Sequence, residues 1–270
     1  MKRGTMKLAA NSSKKFNLLK VLSFIKSHDK VTALDICKQT GMQTPTVYRI
    51  IHALCDNGIL YKTDKTSVSN GRKAIIYSIN PDFCYYICII IEKSTLSVNI
   101  ADLSGNIREN LTENLDSTYS REKLLSIINY GIDTVMRNFF GSQYNMSIIQ
   151  AIGIAAEADI DIQSGKIIEF SGMSCLNGFN IVEYMENKYR IDTSLDKIPN
   201  IEALACMNEL GIKDYIYVHI GAGIGSAIVI DGKIYSGASG KAGELVRVKS
   251  PNGYSWEYEY STTRFYKKIL

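Results

Sequence analysis

Residues 215–244 read YIYVHI-GAGIGS-AIVIDGKIY-SGASGKAGE: an apolar run enters a glycine-rich turn, a second apolar run leaves it, and a second glycine-rich stretch ends on Glu244. The two apolar runs predict antiparallel strands, and Asp231-Gly232 predicts a tight hairpin after the second. Gly221, Gly223 and Gly225 remove Cβ atoms and permit positive φ, so consecutive amides can face one oxyanion-rich ligand such as phosphate. A Rossmann fingerprint is excluded, because Ser226 stands at its third glycine and a strand follows where that motif needs a helix. A glycine-rich hairpin with no ligand fits the same spacing.

Outward from this stretch, 270 residues with 46% hydrophobic content suit one large domain or two smaller ones, with ample material for a core. No apolar run approaches the ~18 residues needed to cross a bilayer. No apolar signal core follows Lys2, Arg3 and Lys7, so neither membrane insertion nor export is expected. Cysteines at 37, 55, 84, 88, 175 and 206 lack metal-ligand spacing and read as reduced thiols of a cytoplasmic protein. The net charge of +4 conceals a split: residues 1–80 carry 14 Lys and Arg against 4 Asp and Glu, and the remainder carries 17 against 23. A basic segment ahead of an acidic body points to nucleic-acid binding, although a basic solubilising face fits the charge alone.

The pattern within residues 12–80 separates those readings. Ser12 or Ser13 can cap a helix with Leu18, Val21, Leu22 and Ile25 on one face, stopping near His28-Asp29. A shorter helix follows over 31–40, with Thr32 as cap, Leu34 and Ile36 facing inward and Gly41 as its stop. After Met42-Gln43, Thr44 is an N-cap candidate, Pro45 suits the first helical position, and Val47, Ile50, Ile51 and Leu54 supply the apolar face up to Gly58. This is helix-turn-helix spacing, in which the second helix meets base edges in the major groove. Gln43, Thr44, Thr46, Tyr48, Arg49 and His52 are the candidate DNA contacts, with a partly buried, hydrogen-bonded ring as the competing reading for His52. Residues 59–62 and 74–79 predict two strands around a polar loop, a wing whose Lys65, Arg72 and Lys73 suit backbone contacts. Asn80-Pro81-Asp82 marks the boundary between a winged helix-turn-helix domain (1–80) and a second domain (84–270).

Residues 84–91, 95–103 and 107–115 predict three strands, 121–140 a helix with a wide apolar stripe, and 148–155 a strand buried on both faces. Helices over 178–188 and 202–210 precede the opening hairpin. The order β-β-β-α-β-α, restarting with another hairpin, is similar to the ribonuclease-H-like α/β fold of sugar kinases and actin-type ATPases.

Several segments together resemble the ROK family, whose regulators place a winged helix-turn-helix before a sugar-kinase-like body. Residues 42–49 look like its recognition-helix opening, Asn70-Gly71-Arg72-Lys73 like its wing, 221–225 with Asp231-Gly232-Lys233 like its second phosphate segment, and 237–244 like the approach to its sugar site. The resemblance implies Asn200, Glu244, Arg247 and Glu257 as sugar-site positions, with Asn200 as a helix cap and Glu244 as a tie between loops as competing roles. Gly178-Phe179 resembles the family's lid turn, and Cys175 departs from a common asparagine. Family kinases carry a glycine-rich first phosphate loop, where this chain has Glu92-Lys93-Ser94-Thr95, and an Asn-Asp pair whose carboxylate is the base, where it has Asn200-Ile201. Isoleucine cannot accept a proton, and loss of a positioned base costs ~10²–10⁴ in rate. The family's zinc ligands have no counterpart after Glu244, so no structural zinc and no cofactor are expected.

The implied function is a cytoplasmic DNA-binding regulator, a repressor of carbohydrate genes, acting as a homodimer or higher homo-oligomer on a palindromic operator and answering a sugar effector. In that reading Gly221, Gly223 and Gly225 are a vestigial phosphate loop. The alternatives are an active sugar kinase with an appended DNA-binding domain, and a constitutive binder with an inert dimerisation body. Family members continue well past the segment matching 257–261, so an incomplete second lobe is also expected.

Overall fold

The computed structural model describes residues 12–28, 30–67, 73–170, 172–221, 223–238, 240–245 and 248–261, with side chains at 12–14, 63–67, 73, 208 and 257 excepted. Two compact units result, residues 1–85 with 102–106, and residues 86–101 with 107–270.

In the first unit, helix α1 (Ser12–Lys26) buries Leu18, Val21 and Ile25, the expected stripe. A two-residue strand β1 (Val31–Thr32) leads directly into α2 (Ala33–Thr40), whose cap is Thr32. The cap is reciprocal: Asp35 N–H donates to Thr32 Oγ1, and Thr32 N–H donates back to Asp35 Oδ2. Leu34 does not face inward; Ala33, Ile36 and Thr40 define the buried face by their spacing, and Leu34, outside that stripe, is 60% exposed. Gly41 ends α2 in the left-handed conformation, φ 69°. Helix α3 (Thr44–Asp56) begins one residue earlier than expected, because Gln43 O already accepts from Thr46 and Val47 N–H; Gln43 occupies the cap position and Thr44 does not. Val47, Ile51 and Leu54 are fully buried and pack with Ile36 and Val21 into one core. Strands β2 (Leu60–Ser67) and β3 (Lys73–Ile79) pair antiparallel, and β1 pairs with the other edge of β3, giving the order β1-β3-β2. Ser12 and Ser13 lie in α1, but the side chains on which the capping expectation rests are outside the described residues, as is the wing sequence Asn70-Gly71-Arg72.

The second unit is built on a five-stranded sheet. Strands β4 (Tyr85–Ile91), β5 (Thr95–Asp102) and β6 (Ile107–Asn114) are hydrogen-bonded neighbours in sequence order, and helix α4 (Arg121–Phe140) packs its Leu124, Ile128, Ile132 and Val135 face into the core. Strand β7 (Ile149–Ala156) is an interior strand with a neighbour on each side, which explains its nearly uninterrupted apolar run. A short hairpin, β8 (Asp159–Asp161) with β9 (Lys166–Glu169), precedes α5 (Ile181–Tyr189). Strand β10 (Thr193–Lys197) then runs parallel to β7 and completes the order β10-β7-β4-β5-β6. The meander and its parallel extension are the ribonuclease-H-like arrangement the element order predicts.

Helix α6 (Ile198–Leu210) starts four residues earlier than its apolar pattern suggests, because Pro199 in the first turn fixes φ there. The capping role open for Asn200 is therefore corrected: Lys197 is the cap residue, and Asn200, already helical, donates from Nδ2 to Asp196 Oδ1 at 2.7 Å. Strands β11 (Tyr215–Ile220) and β12 (Ile224–Ile230) form the predicted antiparallel hairpin, Tyr215 opposite Val229 and Ile220 opposite Ile224. Asp231 and Gly232, φ 51° and 71°, make the tight turn into β13 (Lys233–Ile234). A last helix, α7, spans Trp256–Tyr260. Residues 262–270 lie outside the described residues.

Candidate functional site

Two constellations in separate units carry chemistry. The first is the exposed face of α3. Burying Val47, Ile51 and Leu54 turns the intervening positions outward, so Gln43, Thr44, Tyr48, Arg49 and His52 are exposed and Thr46 is half-buried. His52 is thus not a core histidine; its ring lies 6.4 Å from that of Tyr48 on the same face. Thr44 Oγ1 accepts a weak bond from the Cys37 thiol, and Lys20 Nζ donates to Thr40 O at 2.8 Å. These contacts fix α2 against its neighbours and hold the turn before α3. An amide, a hydroxyl, a phenol, a guanidinium and an imidazole on one helical face offer the donors and acceptors that read base edges and phosphates. Lys65 and Lys73 lie on the backbones of β2 and β3, but their side chains, like Arg72 entirely, are outside the described residues.

The second is a cavity of about 370 Å³ in the unit built on the five-stranded sheet, lined by the ends of β7 and β10, the start of β12 and the loop at Glu244. Parallel strands carry their C-terminal ends to one edge, and β7 and β10 deliver Glu157 and Lys197 there. Lys197 Nζ pairs with Glu244 Oε1 and lies 3.9 Å from Asp159 Oδ1, so one ammonium joins three elements. The loop of Glu244 is pinned on both sides by Ser226: its hydroxyl donates to Gly243 O and accepts from Leu245 N–H. Gly243 has φ 85°, and a Cβ there would stand 3.1 Å from Ser226 O, so only glycine lets the loop lie this close to β12.

The glycine turn behaves differently from the phosphate cradle its spacing suggests. Gly221 and Gly225 do not use positive φ. A Cβ at Gly221 would meet His219 Nε2 at 2.6 Å, and one at Gly225 would overlap the ring of Pro199. Gly221 N–H donates to Gly223 O at 2.8 Å, inside the turn. The His219 ring in turn bonds Glu202 of α6 at 2.9 Å. Among the glycines for which a contact is described, the missing side chains make room for protein.

At the opposite wall, Lys93 N–H donates to Glu157 Oε2 at 3.1 Å while Lys93 Nζ lies 3.3 Å from Glu157 Oε1. Thr95 Oγ1 donates to Glu92 Oε2 in the same turn. Of the expected sugar-site positions, the cavity lining includes Glu244; Asn200 is 8% exposed and committed to Asp196. Arg247 and the Glu257 side chain are outside the described residues. Ile201 is 40% exposed. Sequence reasoning missed Glu157, Asp159 and Lys197, which meet only in the folded sheet; β10, with one large buried apolar residue, Leu195, gives no strand signal that would place Lys197 beside the end of β7. Among the described residues, no group of three or more His, Cys, Asp and Glu is placed to hold a metal ion, and no helix is long and apolar enough to cross a membrane.

The family model described as "ROK family" matches residues 86–249, and that for the "IclR helix-turn-helix domain" matches residues 16–64. The xylose repressor of Caldicellulosiruptor bescii is 24% identical over 235 residues, 86% of this chain and 58% of that protein. The DNA-binding transcriptional dual regulator NagC of Escherichia coli is 22% identical over 245 residues, 87% of this chain and 58% of its own length. The chain therefore spans well under two thirds of either relative. The crystal structure of a ROK family transcriptional regulator, a homologue of the E. coli MLC protein, superposes with a TM-score of 0.73 at 15% identity, covering 96% of this chain and 67% of that one. This likeness establishes the fold.

Proposed function

The chain belongs to the ROK family, and on that premise we propose that it is a sequence-specific DNA-binding repressor of carbohydrate-metabolism genes whose kinase-like unit binds a sugar effector without phosphorylating it. The carrying observation is α3: a helix-turn-helix second helix with its apolar face sealed and Gln43, Tyr48, Arg49 and His52 presented together, ahead of a ROK body. The names of its relatives, a xylose repressor and NagC, support the same reading. In this scheme Gln43, Thr44, Thr46, Tyr48, Arg49 and His52 meet the major groove, and Lys65, Arg72 and Lys73 hold flanking phosphates. Two copies bind a palindromic operator. Glu244 receives sugar hydroxyls, with Arg247 and Glu257 assigned to the same pocket by the family pattern and Asn200 a weaker member.

Absence of turnover follows from Ile201, which has no proton acceptor, and from the Glu92-to-Thr95 turn, where Lys93 N–H and the Thr95 hydroxyl are engaged by Glu157 and Glu92. Gel-shift titration of the full chain against fragments from its own genome, with and without hexoses and pentoses, tests the reading. Sequence-selective retardation that a sugar relieves is expected; affinity indifferent to sequence would sink it. A coupled assay for ADP release over the same sugars tests the kinase alternative.

A further inference from the structure

In the β4–β5 turn a lysine is engaged by a carboxylate of the chain itself. A backbone N–H and a side-chain ammonium of one residue, Lys93, converge on one carboxylate, Glu157, at 3.1 and 3.3 Å. Such two-point, charge-assisted binding is what a phosphate or carboxylate ligand would otherwise receive. Glu157 follows the end of the interior strand β7, and its own N–H donates to Ile91 O at 3.0 Å, so the carboxylate is presented from fixed backbone. Gly172 leaves room for the Lys93 stem: a Cβ there would stand 2.8 Å from Lys93 Cα. Thr95 Oγ1 of the same turn donates to Glu92. The other cation of the described lining, Lys197, lies between Glu244 and Asp159.

The charge census points the same way. The described lining holds two ammonium groups, of Lys93 and Lys197, against four carboxylates, of Glu157, Asp159, Glu169 and Glu244. An incoming phosphate dianion would displace a carboxylate from the turn and enter a wall with a formal negative excess. Hydroxyl groups meet no such penalty, since carboxylates accept their hydrogen bonds, and an ammonium-bearing ligand gains from the excess. We propose that Glu157 is a specificity-determining residue: by occupying the Lys93 turn it excludes phosphate esters and restricts the cavity to uncharged or cationic polyhydroxylated ligands. The ligand class rests on the effector reading above, whereas the occupied turn stands without it.

Inorganic phosphate titrated calorimetrically into the full-length chain and its Glu157→Gln variant tests the proposal. Expected are no saturable heat with the parent and saturable binding, at least about tenfold tighter, in the variant, lost again when Lys93→Met is added. Phosphate binding by the parent at the variant's affinity overturns the proposal, as does a folded Glu157→Gln variant blind to phosphate. Should that variant not fold by circular dichroism, the parent alone decides, titrated with glucose, glucosamine and glucose 6-phosphate. Binding of either unphosphorylated sugar in preference to the ester supports the proposal; preference for the ester, or no binding of any of the three, overturns it. Silence of every sugar beside the expected phosphate results removes the effector reading and upholds the exclusion by Glu157.

Discussion

Lys197 ties the end of β10 to a loop 47 residues further along the chain, its Nζ paired with Glu244 Oε1 and 3.9 Å from Asp159 Oδ1. All three groups line the cavity, and the Lys197 and Glu244 side chains are only 14% and 21% exposed. Replacing Lys197 by Met removes the cation that Glu244 and Asp159 share, at a cost of about 1–3 kcal/mol. The thermal midpoint of the second unit is expected to fall, and sugar-dependent release from DNA to weaken, while sugar-free DNA binding is unchanged. Differential scanning fluorimetry and gel shifts on the same preparations check both; loss of sugar-free DNA binding would mean the pair acts on the whole fold.

The α2 cap predicts a pH dependence. Hydrogen bonds from the Thr32 hydroxyl, then from Thr32 N–H, hold the Asp35 carboxyl below its ordinary range. A depressed folded value means the contribution is complete above the unfolded value, about pH 4, and disappears as pH falls through the folded one. Asp35→Asn is expected to cost about 1 kcal/mol at neutral pH and to flatten the acid limb of stability measured from pH 6 downward. An acid limb identical to the parent's would refute the assignment.

These two features differ in how far the sequence reveals them. Thr32 followed three residues later by Asp35, ahead of Ile36 and Gly41, is a local signal, and so are the α3 stripe and the Asp231-Gly232 turn, because caps and tight turns are fixed by neighbours in the chain. The Lys197 junction is not local. It depends on the parallel pairing of β10 with β7, and Thr-Ser-Leu-Asp-Lys carries too few apolar groups to announce a strand. Leu34 shows a related limit: an apolar residue beside a buried stripe cannot be assigned a face until the helix start is known. Glu244 was legible as a pocket residue through family resemblance, whereas Glu157 required the folded β4–β5 turn.

Arg49 is exposed on the face of α3 whose opposite side holds Val47 and Ile51 in the core. Arg49→Ala therefore removes a contact group without touching packing. Operator affinity is expected to drop about tenfold to a hundredfold, with little change in melting temperature. Titrations at several salt concentrations distinguish its role: a lost base contact relaxes sequence preference, whereas a lost phosphate contact lowers the salt slope by about one. Unchanged affinity on the preferred fragment would remove Arg49 from the interface.

Gly225 tests whether the opening glycine stretch is kept for protein packing or for a ligand. Its missing Cβ is the space occupied by the Pro199 ring, at the point where α6 begins against β12. Gly225→Ala should destabilise the unit by about 1–3 kcal/mol through overpacking. Pro199→Ala removes the ring atom that the new methyl strikes, so the double variant should recover more stability than the sum of the single changes allows. Urea unfolding of the four proteins measures that coupling. If the two changes simply add, the glycine does not serve the helix contact, and a ligand-facing role for the turn regains its standing.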